Sequence, residues 1–198
     1  MSKTLIVYSH PHKKGHNGLI LKCVEEELKK RGEKYEEIDL YHCSFDPRMK
    51  PSEHFLAKNF KMGEDALALQ KKVAESEHMI FIYPIWWNSA PAMMKGFFDR
   101  VFSAKFAFKY VKVIGSLGRP IGLLKGKKAA VFITTGSPKI LHWLIEGNRS
   151  KKVVSWDTLN FCGVKNKVFH YGFANELGER AKKKIPRMVK RGLNWLYR

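Results

Sequence analysis

Two hydrophobic rhythms take turns along this chain. Thr4-Leu-Ile-Val-Tyr8 is an apolar run closed by the polar stretch Ser9 to Gly18, the pattern of a strand buried on both faces. From Leu19 to Arg31 the period changes: Leu19, Cys23, Val24 and Leu28 recur at helical spacing, and Gly32 supplies a stop. Lys34 to Leu40 alternates and predicts a second strand, and Ser44 to Gly63, with Pro47 and Pro51, predicts an irregular connection. Asp65 to Ser76 predicts a helix carrying Leu67, Leu69, Val73 and Ala74 inward. His78 to Tyr83 predicts a third strand, and Ala92 to Val101 a helix with a Met93, Phe97, Val101 face. Gly115, Gly118, Pro120, Gly122 and Gly126 punctuate a long excursion without evident elements. Ala129 to Thr134 then reads as a fourth strand, Lys139 to Glu146 and Lys152 to Phe161 as helical, and Lys167 to Tyr171 as a fifth strand. The last helix, Leu177 to Tyr197, is expected to bend or restart near Pro186.

Strands alternating with helices, with two strand segments apolar and aperiodic, predict an α/β fold with a parallel sheet covered on both faces. Five strands of this kind suggest a flavodoxin-like three-layer sandwich with strand order 2-1-3-4-5. The 198 residues are about one domain's length, enough to bury roughly 70% of the unfolded surface. A single domain over residues 1–198 is expected. Met1-Ser2-Lys3 runs straight into the first strand, unlike a signal peptide, and no apolar run approaches the ~20 residues of a membrane span. Cys23, Cys43 and Cys162 are odd in number and lack C-x-x-C spacing, which points to a reducing cytoplasm. Cys23, on the inner face of its helix, and Cys162, beside Phe161, read as buried small hydrophobes.

Charge changes this picture more than composition does. Against 37 Lys and Arg stand only 18 Asp and Glu, a formal charge of +19. Such a field draws nucleotide phosphates, anionic lipid or nucleic acid. Much of the excess lies in the last helix, at Arg180, Lys182, Lys183, Lys184, Arg187, Lys190, Arg191 and Arg198. A solvated basic face accounts for it most simply. Nucleic-acid binding is not expected, because no recognition motif accompanies the charge.

In the 2-1-3-4-5 order, the loops after strands one, three and four converge at one edge of the sheet, where such folds bind ligands. The first, Ser9-His-Pro-His-Lys-Lys-Gly-His-Asn17, precedes a helix N-terminus whose free N–H groups favour a phosphate, with Lys13, Lys14 and Asn17 as added donors. Its His10 and His12 lack the further ligands a metal needs. The second, Pro84-Ile-Trp-Trp-Asn88, sets two indoles on a loop where they are hard to justify without something to cover, although one of the pair fits a core position equally well. The third, Thr134-Thr-Gly-Ser137, offers hydroxyls and a glycine that lets backbone approach a ring edge. Such rings and N–H groups suit a flat, polar-edged cofactor such as a flavin. Competing nucleotide motifs are missing: Gly115-Ser-Leu-Gly118 is no dinucleotide fingerprint, and Gly122-Leu-Leu-Lys-Gly126-Lys-Lys lacks P-loop spacing. No zinc spacing and no G-x-S-x-G nucleophile turn occur.

Over nearly its whole length the chain resembles the NAD(P)H:quinone oxidoreductase family, which includes azoreductases and ancillary proteins of glutathione-gated potassium efflux. The resemblance rests on Val7-Tyr-Ser-His10 with Asn17, Asp39-Leu-Tyr41 leading to Phe45-Asp-Pro47, and the Pro84-Ile-Trp-Trp loop. It continues through Pro91-Ala, Lys95-Gly, Asp99-Arg-Val-Phe102, and Gly122-Leu-Leu-Lys-Gly-Lys-Lys128 before Thr134-Thr-Gly136. It implies a bound FAD or FMN, with a lean towards FAD, NAD(P)H as electron donor, a quinone or similar acceptor in a ping-pong exchange, and a homodimer with the flavin at the subunit interface. By resemblance, His10, Lys14, Gly15, His16 and Asn17 contact the phosphate. Pro84, Ile85, Trp86, Trp87 and Asn88, with Thr134, Thr135, Gly136 and Ser137, hold the isoalloxazine. Family members place a tyrosine and a histidine after the Thr-Thr-Gly loop to manage charge on the flavin; here His142 and Asn148 stand nearest to those positions and are the catalytic candidates. The alternative function is a flavin-binding regulatory subunit of a membrane ion-efflux system, whose basic last helix would meet a transporter or anionic membrane.

Overall fold

A computed structural model describes residues 3–114 and 117–198; Gly115, one of the punctuating glycines, lies outside them. Five parallel strands form the central sheet: β1 (Thr4–Tyr8), β2 (Tyr35–Asp39), β3 (His78–Pro84), β6 (Lys128–Thr134) and β7 (Lys165–Tyr171), in spatial order β2-β1-β3-β6-β7. Counted along the chain within this sheet, that is the expected 2-1-3-4-5.

Register is fixed by residues that alternate between two cores. Leu5 and Val7, Met79, Phe81 and Tyr83, and Ala129, Val131 and Ile133 face one side, while Ile6 and Tyr8, Ile80 and Ile82, and Ala130 and Phe132 face the other. Because both faces are covered, β3 and β6 read as continuous apolar runs. Helix α1 (His16–Lys30) and helix α6 (Glu179–Leu196) cover one face; α2 (Glu64–Glu75) and α3 (Ala92–Val101) cover the other. Below α3, the rings of Phe81, Phe97, Phe98 and Phe102 meet at centroid distances of 5.2 to 6.4 Å.

Several expectations are corrected. The Gly- and Pro-rich excursion holds an antiparallel hairpin, β4 (Phe108–Ile114) and β5 (Leu117–Gly122), separate from the main sheet. Helix α2 turns Ala66, Leu69, Gln70 and Val73 inward, leaving Leu67 and Ala74 exposed. Gln70 can occupy a core position because its amide donates to Val101 O at 3.1 Å and to Ser103 Oγ at 3.0 Å. In α3 it is Met94, not Met93, that is fully buried. The segment after β6 forms two short helices, α4 (Lys139–Leu144) and α5 (Arg149–Lys152), and the second widens into a π-helical stretch over Val153–Asn160. Pro186 sits inside one uninterrupted helix. Cys162 is buried as expected, whereas Cys23 is half-buried and Cys43 exposed.

The irregular Ser44 to Gly63 connection is held by one fully buried side chain. Arg100 of α3 donates from Nε to Glu53 Oε2 at 2.7 Å and from Nη2 to Asp65 Oδ1 at 2.8 Å, and its Nη1 reaches Asp46 O. The guanidinium holds the Glu53 and Asp65 carboxyls below the usual carboxylate range. No helix among the described residues is long and apolar enough to cross a membrane.

Candidate active site

At the carboxyl edge of the sheet, the ends of β1, β3, β6 and β7 frame a crevice of about 270 Å³. Helix α1 opens on it with Gly15 as N-cap at φ 85°, a left-handed conformation that glycine adopts without strain. No side chain caps α1 and no acid occupies its first turn, so its first N–H groups and positive end are left for an anion.

The loop before α1 is braced from several sides. The Tyr8 hydroxyl donates to His12 O at 3.0 Å, His10 Nδ1 lies 2.8 Å from the same carbonyl, and the His10 and Trp86 ring centroids are 6.0 Å apart. The His16 ring stacks on Tyr171 at 5.4 Å with its Nε2 buried and unpartnered. Burial lowers the pKa of His10 and of His16, which favours neutral rings near pH 7.

Two backbone and side-chain contacts lock the neighbouring loops together. Ile85 N donates to Thr134 O at 2.8 Å, and the buried Asn17 Nδ2 donates to Thr134 Oγ1 at 3.1 Å. Asn17 is thus spent on joining two loops. Lys13, another expected donor, is turned away to Glu37 at 2.6 Å and Asp39 at 3.6 Å.

After Trp86 the chain makes a tight turn. Trp86 and Ser89 exchange both backbone hydrogen bonds at 3.0 Å around Trp87 (φ 50°) and Asn88 (φ 57°). Asparagine tolerates this left-handed region; an indole residue there is strained. The result is that Trp87 is 99% exposed and Trp86 42% exposed, so neither indole is core.

Of the expected residues, the crevice brings together His10, Lys14, Gly15, His16, Asn17, Pro84, Ile85, Trp86, Thr134, Thr135 and Gly136. Trp87, Asn88 and Ser137 lie outside its lining, as do His142 and Asn148. The loop after β7 adds Ala174 and Asn175, which the sequence reading missed. Asn175 packs close to the loop: a Cβ on Gly136 would meet its Oδ1 at 2.7 Å, so a side chain at position 136 would displace the Asn175 amide.

His142 is buried, with Nδ1 2.7 Å from Glu146 Oε2 and its ring edge-on to His170 at 5.2 Å. His170, also missed, reaches the crevice through Thr135. The Thr135 hydroxyl donates to Ser137 O at 3.0 Å, so the 2.7 Å contact must be donated by His170 Nε2–H. His170 Nδ1 is then an unprotonated, buried nitrogen with no partner. Burial, followed by the charges of Lys151, His142 and Lys139, pushes the His170 pKa down to about 3. Asn148 sits at φ 56° with its Oδ1 likewise buried and unpartnered.

A second cavity, of about 380 Å³, flanks the other side of the Trp86–Ser89 turn and is floored by Tyr83, Phe98, Phe102, Phe108 and Phe161. Its cation Lys95 is already held by Asp99 at 2.6 Å. Its floor therefore suits an apolar group, whereas the smaller crevice has the donors for a phosphate.

A family model described as flavodoxin-like fold matches residues 2–196. The chain belongs to this family. Within the flavodoxin-like fold family it is 30% identical to the Homo sapiens ribosyldihydronicotinamide dehydrogenase (quinone), over 92% of this chain and 86% of that protein. It is 28% identical to an uncharacterized NAD(P)H oxidoreductase of Haemophilus influenzae, over 90% and 88% of the two chains. Among solved structures, Smu.1420 from Streptococcus mutans UA159 superposes with a TM-score of 0.82 at 30% identity, covering 97% of this chain and 99% of that one. The crevice lies where flavodoxin-like folds bind their ligands, outside the carboxyl ends of the central strands.

Proposed function

We propose that this protein is a flavin-dependent NAD(P)H oxidoreductase that reduces quinones or similar acceptors, with the flavin in the 270 Å³ crevice. The observation that carries this reading is the pairing, in one crevice, of an uncapped helix N-terminus behind Gly15 with the Trp86 indole and the glycine-bearing Thr135-Gly136 turn. Phosphate donors and a ring platform are what a flavin nucleotide requires. Relatives named as quinone dehydrogenases support it.

In this reading the first turn of α1, with Lys14, Gly15 and His16, holds the phosphate. Ile85, Trp86 and the Thr134 to Gly136 backbone hold the ring. A flavin held there would supply the redox chemistry, a two-electron transfer from NAD(P)H to the acceptor. The chain's contribution is position and electrostatics. Thr135, oriented by His170, fixes the loop edge, and Asn17 ties that edge to the phosphate end. His142 acts on this loop through His170, against which its ring packs, in place of direct contact with the reacting atoms, and Asn148 holds the His142 carbonyl with its N–H at 3.0 Å.

We extend the proposal to a homodimer in the cytoplasm. Phe55, which lines the apolar cavity, and Leu56 beside it are 53% and 72% exposed. A second copy would cover both, and light scattering of the purified protein tests this.

The deciding experiment is an absorbance spectrum followed by anaerobic addition of NADPH and then of a benzoquinone. Flavin bands that bleach and return are expected, and heat-released cofactor distinguishes FAD from FMN. A colourless protein that takes up neither added flavin overturns the assignment.

A further inference from the structure

Next to the crevice the surface is built the wrong way round for a protein in contact with water alone. In and just after α4, Ile140, Leu141, Trp143, Leu144 and Ile145 are 61%, 40%, 60%, 63% and 75% exposed, and only His142 turns inward. A contiguous apolar patch of this kind marks a contact surface.

Helix α6 runs alongside. Its Arg180, Lys184, Arg187 and Arg191 recur at one-face spacing over about 16 Å, and all are exposed. With Lys139 and Ile140 they line a groove of about 520 Å³. Among the described residues none of these cations has an acidic partner; the ion pair on α6 is Lys182 with Glu179 at 2.8 Å. Burial, followed by the charges of Lys151, Lys184, Arg191 and Arg180, lowers the pKa of Lys139 across the groove. Cations gathered along one groove without a counter-acid attract an anion from outside the molecule.

Three kinds of occupant differ in what they would use. A second copy whose two-fold axis passed through this groove would set the basic stripe against itself and be repelled. A nucleic acid would use the cations and leave five large apolar side chains in water. A bilayer with anionic lipid uses both, because apolar side chains and a tryptophan enter the headgroup boundary while lysine and arginine hold the lipid phosphates. We propose that α4 and the 180/184/187/191 face of α6 form a peripheral docking surface for anionic membrane. This surface is distinct from the crevice and from the Phe55 cavity, and it stands whether or not the redox assignment holds.

The test is co-sedimentation of the purified full chain with large phosphatidylcholine vesicles, with and without phosphatidylglycerol. Binding is expected with phosphatidylglycerol alone and is expected to fall as salt rises. The Lys184→Glu, Arg187→Glu, Arg191→Glu variant should lose roughly 100-fold in partition, about fivefold for each basic contact, while its melting temperature and its reduction of a water-soluble benzoquinone stay unchanged. A Leu144→Ser, Ile145→Ser variant should lose binding at low salt as well. No vesicle binding by the unaltered protein, equal binding to neutral vesicles, or full binding by the triple variant would overturn the proposal. So would a shift in oligomeric state for the Leu144 and Ile145 variant with partition unchanged, which would assign the patch to a second copy. A salt-sensitive RNA shift without vesicle binding would assign the stripe to nucleic acid.

Discussion

The segment from Ser44 to Gly63 has almost no regular structure, yet its central polar groups are paired: one buried arginine joins Glu53, Asp65 and the Asp46 carbonyl. The segment from Lys139 to Lys152 is mostly helical, yet it exposes a row of large apolar side chains and buries unpartnered atoms at Asn148 and Ser150. Regular secondary structure and local completeness are therefore separate properties. The loop is finished by its own chain. The helices are left unfinished beside the crevice, where a ligand or surface would complete them.

The contrast breaks most visibly if Arg100→Ala is made. Glu53 would be left buried and Asp65 partly buried without their cation, and urea denaturation should show a loss of about 3 kcal/mol. Comparable cost from truncating an exposed α4 residue such as Leu144 would mean that the two regions are equally built in. A pH series sharpens the same point. Glu53 and Asp65 have folded-state pKa values lowered first by the Arg100 hydrogen bonds, so their contribution is full above their unfolded pKa values, near 4, and is lost as pH falls below them. His170, lowered to about 3 by burial, adds an earlier loss. Below about pH 6.5 the unfolded chain takes up a proton that folded His170 refuses. Thermal melts from neutral to acid pH should show both steps, the earlier one weakened in His170→Phe and the later one in Arg100→Ala.

His170→Phe also removes the donor to Thr135, which should cost about 1–2 kcal/mol. If Thr135 positions the flavin, fluorescence titration with added flavin should show weakened retention; unchanged retention would detach His170 from the site. The smallest effect is expected at Trp87. Trp87→Gly relieves a strained φ of 50° and should raise stability by up to about 1 kcal/mol. If the exposed indole covers a ligand, Trp86→Ala and Trp87→Ala should weaken flavin retention, and the glycine variant should reduce quinones more slowly despite melting higher.

What the sequence disclosed follows from where the physics is local. Buried parallel strands must be apolar at successive positions, so β1, β3 and β6 were legible, and α3 was read with its observed bounds. The hairpin was not, because β4 and β5 carry Lys109, Lys112 and Arg119 on exposed positions and show no buried-strand run. Helix α2 was rotated in the reading because Gln70 counts as polar until its partners Val101 and Ser103 are known. The first half of the crevice was legible for a similar reason: a helix start behind glycine and a paired indole are local signals. His170 and Asn175 were invisible, since each acquires its role from a loop more than thirty residues earlier. Lys13 and Asn17 were assigned to a ligand because their protein partners, Glu37 and Thr134, are likewise distant in the chain.

The Asn17 to Thr134 hydrogen bond, 117 residues apart in sequence, also sets an order of events during synthesis. β6 lies between β3 and β7, and the crevice wall includes Asn175. A nascent chain that has emerged only through α3 possesses the helix N-terminus and the indoles but not the opposite wall. Cofactor capture belongs to the end of folding, after the long-range pairing that is slowest to form. A chain stalled before β7 should remain empty however much flavin surrounds it.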